Sequence, residues 1–295
     1  MVVVIGALAL DVVARRDRFL PGTSNPAAIR WTAGGVGYRI WRRLPAPKLL
    51  LTAVGDDPAG RWLEERVREE ARHRTGRTAS RASARARVLR LPRFPSACYS
   101  AFMASGLLLY GAADMEVIER GLTWARLRQH LPDLGPADLL VLEANLAPAL
   151  VAALLGRFGE RTRVVFEGVS VEKLRRHAGS LRDLFLLSTN EEELAAARAG
   201  GGREWARSFL VERSIGHWLV GRGRRGVRLL ERGGDGRVRS RLFPPVRVVR
   251  AADTTGAGDR LLAGVLARLD RAGSVERALP GAMREVEKAI EEGKL

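Results

Sequence analysis

The chain has 295 residues, enough to bury the core of one large α/β domain or two small ones without disulfides or metals. The single Cys98 excludes an internal disulfide, no apolar run reaches membrane-spanning length, and the first residues lack the pattern of a secretion signal. We therefore expect a cytoplasmic protein with no membrane contact. The formal net charge is +17, but it comes almost entirely from arginine spread along the chain. Because no aromatic-basic RNA motif or zinc-finger spacing accompanies the charge, nucleic acid is not the expected partner.

Strand-like and helix-like patterns alternate along most of the chain. The first strand is predicted from Val2 to Ile5, a β-branched run that ends at Gly6. Further strands are predicted at Leu49 to Val54, Ser96 to Ala104, Leu107 to Tyr110, Leu139 to Glu143, Val164 to Glu167, Leu184 to Leu187, His217 to Val220 and Val227 to Leu230. Helices are predicted from Gly34 to about Leu44, Arg61 to Arg72, Trp124 to His130, Pro148 to Phe158, Ser188 onward, Glu204 to Ser214 and Val275 to Glu292. This alternation predicts an α/β fold with a doubly wound, mostly parallel sheet, in which ligands bind beyond the carboxyl ends of the strands.

We expect one domain over residues 1–295, because no linker long enough to separate two folding units interrupts the pattern. Two segments, at about 12–33 and 96–113, break the alternation. In the second segment, Ser105-Gly106 joins two strand-like pieces in the manner of a hairpin. The two segments together are expected to form a small β sheet that covers the site as a lid.

The stretch from Asp253 to Asp259 precedes an apolar-periodic helix. The free amides of Gly256, Ala257 and Gly258 would face outward at the positive end of that helix, which is an arrangement that binds anions. Asp259 at the same end could take a proton from a substrate hydroxyl while the amides hold the charge on a transferring phosphoryl group. The alternative is an ordinary Gly-rich turn, but the flanking acids and paired threonines favour a catalytic anion site.

These residues, with Ala263-Gly264 in the helix, resemble the second signature of the PfkB/ribokinase family of small-molecule kinases. The order of the other parts is also similar to that family: Asp11, a Gly-Gly helix opening, Leu51 to Gly60, and Asn190-x-x-Glu193. The resemblance implies a ribokinase-like fold and ATP-dependent phosphorylation of a sugar or nucleoside alcohol. No Walker A loop competes with this interpretation.

Within the family, two segments look most like pseudouridine kinases, namely Pro21 to Pro26 and Ala113 to Glu116. Ala144-Asn145-Leu146 and Val169-Ser170-Val171 resemble the same subgroup. The three asparagines of the chain all fall in matched segments: Asn25 and Asn145 in segments similar to this subgroup, and Asn190 in the Asn190-x-x-Glu193 pair that is similar to the family. Each could still be an ordinary turn or cap residue. The reaction that the resemblance implies is therefore phosphorylation of the 5′-hydroxyl of pseudouridine. Another sugar or nucleoside kinase of the family remains the alternative.

The resemblance also implies roles for individual residues on the acceptor side. Asp11 would grip a vicinal ribose diol, and Gly34 and Gly35 would let the backbone approach the sugar. The lid residues that would face a base edge are Thr23, Ser24 and Asn25.

On the nucleotide side, Asn190 and Glu193 would organise Mg²⁺ and its waters near the phosphates of ATP. A monovalent cation such as K⁺ is a further candidate cofactor. Residues that resemble the family's nucleotide contacts are Gly223, Gly226 and Thr254. Lid sheets of the family often pair between subunits, so we expect a homodimer through the lid.

Several residues depart from the family pattern. Arg39 stands where the first signature carries Asn, Ala9 replaces a frequently polar residue, and Glu167-Gly168 replaces Asp-Pro. Gly221-Arg222-Gly223 also differs from the usual nucleotide contact, and the chain ends in a charged helix. One interpretation is that the enzyme keeps the reaction with an altered pocket, for an anionic substrate that Arg39 and Arg222 would attract. The other is that it binds a nucleoside or RNA with little turnover. The intact Asp253 to Asp259 loop favours catalysis.

Overall fold

The computed structural model describes residues 1–73, 84–134, 137–197, 205–247 and 256–293. Their strands are β1 (Val2–Ile5), β2 (Ala9–Arg16), β3 (Ala28–Gly34), β4 (Lys48–Val54), β5 (Ala84–Arg90), β6 (Cys98–Ala104), β7 (Leu107–Asp114), β8 (Leu139–Glu143), β9 (Arg163–Glu167), β10 (Leu186–Asn190), β11 (His217–Gly221), β12 (Val227–Arg232) and β13 (Val238–Phe243). Their α-helices are α1 (Val36–Arg43), α2 (Pro58–His73), α3 (Trp124–Leu127), α4 (Pro148–Phe158), α5 (Val171–His177), α6 (Glu191–Ala197), α7 (Trp205–Glu212), α8 (Ala257–Ala272) and α9 (Val275–Glu291).

The main sheet has nine strands in the order β13-β12-β11-β10-β9-β8-β1-β4-β5. The strands from β11 to β5 pair in parallel, whereas β12 and β13 are antiparallel at one edge. Two buried apolar layers cover the sheet: α1, α2, α8 and α9 pack on one face, and α3 to α7 pack on the other. The prediction of a doubly wound, mostly parallel α/β fold is therefore confirmed.

Some predicted boundaries were wrong. The strand expected at Leu184 to Leu187 runs from Leu186 to Asn190, so the residues taken as the start of a helix complete a strand. The reason is burial: Ser188 and Thr189 lie inside the protein, and Thr189 Oγ1 accepts a hydrogen bond from Trp218 Nε1 at 2.9 Å. Strand β13 and helix α5 were not predicted. Strand β13 is an arginine-rich edge strand with mostly exposed side chains, so it carries little of the apolar alternation by which strands are recognised.

A second, four-stranded sheet has the order β3-β2-β6-β7. Its strands come from the two segments that break the helix-strand alternation. Strand β2 pairs antiparallel with β3 and parallel with β6, and β7 returns from β6 through a turn at Ser105 and Gly106. Strand β7 is exposed along its whole length. No helix in the described ranges is long and apolar enough to cross a membrane.

A buried lysine joins the first helix to the main sheet. Lys48, the first residue of β4, is 1% exposed. Its Nζ donates hydrogen bonds to the carbonyl oxygens of Trp41 at 2.7 Å and Leu44 at 2.8 Å, at the end of α1 where carbonyls lack helical partners. It also lies 4.7 Å from the centre of the Trp41 ring. This contact fixes the position of α1, which carries Arg39.

We predict that Lys48→Met destabilises the protein. Methionine keeps most of the apolar stem but removes charge-assisted hydrogen bonds to helix carbonyls, so the free energy of unfolding should fall by about 2 kcal/mol. Urea unfolding followed by circular dichroism measures the change. Lys288→Met is the matched control, because the Lys288 side chain is 74% exposed. Equal stability of the two variants would contradict the capping role of Lys48.

Candidate active site

Asp11 is held against the backbone of the neighbouring strand. It lies in β2, is 3% exposed, and pairs in register with Thr32 of β3. Its carboxylate packs on Gly34, where a Cβ atom would lie only 1.9 Å from Asp11 Oδ2. Any larger residue at Gly34 would therefore displace the Asp11 carboxylate.

Helix α1 begins in tight contact with the end of β1. Gly35, the residue before the helix, has a φ of 89°, and a Cβ there would lie 2.5 Å from the carbonyl oxygen of Ala7. Glycine permits both the positive φ and the close approach. One turn later, the backbone amide of Arg39 donates to the carbonyl of Gly35 at 2.9 Å. This geometry brings Arg39 to the carboxyl edge of the sheet.

The Arg39 guanidinium lies between two buried carboxylates. Its Nη2 donates a hydrogen bond to Asp11 Oδ2 at 2.5 Å, and its Nη1 is 3.6 Å from Asp259 Oδ2. Asp259 is 7% exposed and lies in the first turn of α8. A single side chain therefore joins the predicted acceptor-binding aspartate to the predicted catalytic aspartate.

The start of α8 has the features of an anion site. Gly256 precedes the helix with a φ of 84°, and Ala257 and Gly258 form the first turn with Asp259. The amides of this first turn lack helical carbonyl partners, and the helix dipole makes this end positive. Arg39 Nη1 would lie 3.3 Å from a Cβ placed on Gly256. Thr254, predicted to contact the nucleotide, lies outside the described residues.

The charged groups of this cluster influence each other's pKa. Burial raises the pKa of Asp11 and of Asp259, although the nearby Arg39 works in the opposite direction. Burial disfavours the charged form of Arg39, but Asp11 and Asp259 outweigh it and raise the pKa of the guanidinium. A buried carboxylate whose pKa is raised is a better proton acceptor than a solvated one. Asp259 therefore fits the role of a general base.

Asn190 and Glu193 are hydrogen-bonded to each other around the start of α6. Asn190 Nδ2 donates to Glu193 Oε1 at 2.8 Å, and the backbone amide of Glu193 donates to Asn190 Oδ1 at 2.8 Å. The backbone amide of Asn190 also donates to Glu193 Oε2 at 3.1 Å. This reciprocal pattern is that of a capping box. It also holds the 3%-exposed Glu193 carboxylate in one orientation at the carboxyl end of β10.

Glu167 places a further carboxylate next to this pair. It ends β9, and its buried Oε2 has no hydrogen-bond partner in the described part of the chain. Burial raises its pKa well above the usual value, and the nearby Glu193 and Asp259 carboxylates raise it further. The ionised form of Glu167 is therefore disfavoured, and a cation bound near its Oε2 would stabilise that form. Nevertheless, no three His, Cys, Asp or Glu side chains of the described chain are arranged to hold a metal ion.

Gly223 and Gly226 lie in the turn after β11, beside this acidic group. The preceding Gly221 pairs in register with Asn190 of β10. Gly226 has a φ of 84°, and a Cβ there would lie 2.1 Å from the carbonyl oxygen of Phe243. The two predicted nucleotide glycines therefore lie at the same edge of the sheet as Asn190 and Glu193.

The lid residues Thr23, Ser24 and Asn25 lie in the loop between β2 and β3. Thr23 and Ser24 are exposed. The Asn25 amide bonds within the loop: Oδ1 accepts from the amide of Leu20 at 2.8 Å, and Nδ2 donates to the carbonyls of Leu20 and Thr23. Arg16 Nη1 donates to the same Oδ1 at 2.7 Å. Asn25 thus fixes the shape of the loop that carries Thr23 and Ser24. Within the described part of the chain, no hydrogen bond or ion pair joins these three residues to Asp259.

Comparison with known proteins identifies the family. The model of the pfkB family carbohydrate kinases matches residues 119–283 of this chain. The chain belongs to the pfkB family of carbohydrate kinases. The resemblance noted in the sequence is therefore confirmed, and the protein is a kinase of the transferase class.

Individual pfkB-family relatives are similar over much of their length. Pseudouridine kinase of Escherichia coli strain K12 is 26% identical over 90% of this chain and 82% of its own length. Pseudouridine kinase of Arabidopsis thaliana is 28% identical over 66% of this chain, which spans 49% of that longer protein. The structure of Arabidopsis thaliana ribokinase complexed with ribose and ATP superposes with a TM-score of 0.73 at 17% identity, covering 98% of this chain and 92% of the ribokinase.

One buried acid of this pfkB-family site, Glu143, was not predicted from the sequence. Glu143 ends β8, is 1% exposed, and accepts hydrogen bonds from the backbone amides of Ala7 at 2.8 Å and Asn145 at 2.9 Å. It therefore holds the turn after β1, which leads directly into β2 and Asp11. Its position at the carboxyl end of a buried strand was the available signal, since ligand sites of doubly wound sheets form there.

We predict that Glu143 makes stability depend on pH. Burial raises its pKa from 4.5 to about 7, against the hydrogen bonds from Asn145 and Ala7. Folding therefore favours the protonated form of Glu143. The contribution of this group to the free energy of unfolding is complete below about pH 4.5 and is lost as the pH rises through about 7. The loss should reach about 3 kcal/mol.

The measurement compares the free energy of unfolding of the wild type and Glu143→Gln between pH 4.5 and 8. Because glutamine does not titrate, the difference between the two proteins isolates Glu143 from the other buried acids. Glu160→Gln, which changes an exposed glutamate, is the matched control. A wild type and Glu143→Gln with parallel pH profiles would show that Glu143 does not titrate in this range.

Proposed function

We propose that the protein transfers the γ-phosphoryl group of ATP to the 5′-hydroxyl of a nucleoside, with pseudouridine as the acceptor. The observation that carries the proposal is the buried Asp259 beside the amides of Gly256, Ala257 and Gly258 and linked through Arg39 to Asp11. Two curated relatives named pseudouridine kinase support the acceptor. The ribokinase structure complexed with ribose and ATP supports the donor.

In the proposed reaction, Asp259 accepts the proton of the acceptor hydroxyl as the hydroxyl oxygen attacks the γ-phosphorus of ATP. The bond between the γ-phosphorus and the oxygen that links it to the β-phosphate breaks, and ADP leaves. The amides at the start of α8 donate hydrogen bonds to the oxygens on which negative charge accumulates. Asp11 orients the acceptor by binding its vicinal diol. Burial raises the pKa of Asp11 and of Asp259, and Arg39 opposes that effect, which favours the ionised form that can accept these hydrogens.

The acidic group around Glu167 fits Mg²⁺. When bound, Mg²⁺ would supply positive charge that neutralises the charge developing on the phosphates. Glu167 would offer its unpartnered Oε2, while Asn190 holds the Glu193 carboxylate beside it. Mg²⁺ usually keeps several waters, so a small number of protein oxygens is sufficient.

A second candidate function is phosphorylation of an anionic acceptor by the same site. The observation that favours it is Arg39, whose guanidinium lies within the acceptor region next to Asp11. Arg39 pairs with Asp11 and Asp259, so a phosphorylated or carboxylated acceptor would have to compete with those carboxylates for the guanidinium donors.

We predict phosphoryl transfer from ATP in the presence of Mg²⁺ when the purified protein is tested with a panel of acceptors. The panel comprises pseudouridine, uridine, adenosine, ribose and fructose 6-phosphate, and ADP release is the readout. We expect the highest kcat/KM with pseudouridine. A higher kcat/KM with fructose 6-phosphate would support the second candidate function, phosphorylation of an anionic acceptor. No transfer to any acceptor, together with salt-sensitive RNA binding, would contradict both.

With the best acceptor of that panel, Asp259→Asn should lower kcat by about 10²- to 10⁴-fold, the usual contribution of a general base. Acceptor affinity, measured by calorimetry, should change much less, since asparagine has the same size. Asp270→Asn is the matched control because Asp270 lies on the same helix with 93% of its side chain exposed. Near-normal turnover of Asp259→Asn would remove this residue from the mechanism.

We also propose that the protein forms a homodimer through the four-stranded sheet. Strand β7 exposes Leu107, Leu108, Leu109 and Tyr110, and β3 exposes Ile29 and Trp31. Strands β3 and β7 are the two outer strands of that sheet. An exposed apolar surface of this kind is typical of a protein interface. A second copy of the chain would cover it without requiring another protein.

Sedimentation velocity at micromolar concentration tests this association. The wild type should sediment as a dimer, and Leu107→Ser/Leu109→Ser should sediment as a monomer because it removes apolar contact area. Val211→Ser is the control, since Val211 is an exposed apolar residue on α7, outside the sheet. A monomeric wild type would contradict the proposal.

A further inference from the structure

Two arginines that form no ion pair with a described carboxylate lie beside Asp259. Arg43 is in the last turn of α1, one turn beyond Arg39, and Arg260 directly follows Asp259 in α8. Helices α1 and α8 pack against each other, and the two guanidinium groups lie within electrostatic range. The positive side chains of both helices therefore meet next to the catalytic carboxylate.

Each of these arginines has an unused hydrogen-bond donor inside the protein. The Nε atoms of Arg43 and Arg260 are both buried, and neither has a hydrogen-bond partner among the described residues. Arg43 Nη1 donates to the carbonyl oxygen of Arg39 at 3.0 Å, which directs its side chain back toward the site. Buried N–H groups without acceptors are uncommon in folded proteins, because each costs the hydrogen bond that it made with water.

The charges around these donors are also unbalanced. Arg39 uses the nearby Asp11 and Asp259 carboxylates, and no described carboxylate forms an ion pair with Arg43 or Arg260. Arg260 lies in the first turn of α8, where the helix dipole disfavours a cation. Burial, and then repulsion by Arg260 and Arg42, lower the pKa of Arg43 to about 10. A bound anion would relieve each of these costs.

We propose that Arg43 and Arg260 form a binding site for a phosphate-class anion, distinct from the amides at the start of α8. Guanidinium groups suit such a ligand because their planar N–H donors match the oxygens of a phosphate in pairs. The anion has two chemical sources: a phosphate group carried by the acceptor, or free inorganic phosphate acting on the enzyme. Only the first source rests on the proposed function.

Binding is tested first, without turnover. Inorganic phosphate is titrated by calorimetry into the wild type and into Arg43→Gln/Arg260→Gln, at constant ionic strength. The wild type should bind phosphate at a site that the variant lacks, or bind it about tenfold more tightly, as expected from the loss of charged hydrogen bonds. Arg271→Gln/Arg277→Gln removes the same charge from exposed positions on α8 and α9 and should bind like the wild type.

Thermal unfolding provides a second readout, which distinguishes loss of the phosphate site from misfolding of the variant. Without phosphate, Arg43→Gln/Arg260→Gln should be at least as stable as the wild type, because the substitutions relieve repulsion. Phosphate should raise the melting temperature of the wild type more than that of the variant. Identical phosphate binding and identical phosphate stabilisation in the two proteins would overturn the site.

Kinetics then distinguish the two sources of the anion. A nucleoside and its 3′-monophosphate, both with a free 5′-hydroxyl, are compared as acceptors. If the acceptor supplies the anion, the wild type should prefer the monophosphate, and Arg43→Gln/Arg260→Gln should lose that preference by about tenfold. If free phosphate supplies it, phosphate should change the rate with the neutral nucleoside in the wild type alone. Absence of all turnover would contradict the proposed function while leaving the binding result valid.

Discussion

The arrangement of the site depends on the ion pairs of Arg39 with Asp11 and Asp259. These two carboxylates come from different parts of the fold, β2 and α8, and both are buried. Burial of a carboxylate without a partner would favour its protonated form, or would favour a conformation in which the carboxylate reaches water. The guanidinium offsets that cost for both groups at once, so the ion pairs connect the four-stranded sheet to the helix layer of the main sheet through α1.

The backbone must be closely packed to allow this bridge. Gly34 leaves room for the Asp11 carboxylate, and Gly35 lets α1 begin against the end of β1. At the other end of α1, Lys48 binds the last carbonyls and ties the helix to β4. Glu143 fixes the turn between β1 and β2 by accepting a hydrogen bond from the backbone amide of Ala7. Arg39 therefore reaches both carboxylates from a rigid helix, which reduces the entropy that the ion pairs must overcome.

The sequence patterns predicted the fold more fully than the site. Buried parallel strands such as β1 and β8 are continuous apolar runs, so their place in a doubly wound sheet follows from local pattern alone. The Asp253 to Asp259 stretch indicated the proposed catalytic region for the same reason, because its glycines and acids are adjacent in sequence. Strand β13 was missed because its alternating pattern is weak at an exposed edge.

The partners of individual side chains could not be predicted in this way. Arg39 and Asp259 are more than two hundred positions apart, and no local pattern states that they meet. The role of Asn25 was predicted from the resemblance of its segment to other sequences. The number of its hydrogen bonds and the identity of their partners depend on how the loop folds around it. The unpartnered Oε2 of Glu167 is likewise visible only when every neighbouring donor is placed.

These contacts leave Asp259 between regions of opposite charge. On one side lie Arg39, Arg43 and Arg260, and on the other lie Glu167 and Glu193. The arginines favour the ionised form of Asp259, while burial and the nearby carboxylates favour the protonated form. Because the two influences oppose each other, any ligand that neutralises one side changes the basicity of Asp259. An anion at Arg43 and Arg260 would make it a stronger base, and a cation at Glu167 would make it a weaker one. The proton affinity of this aspartate is therefore set by the ligands bound around it as well as by the fold.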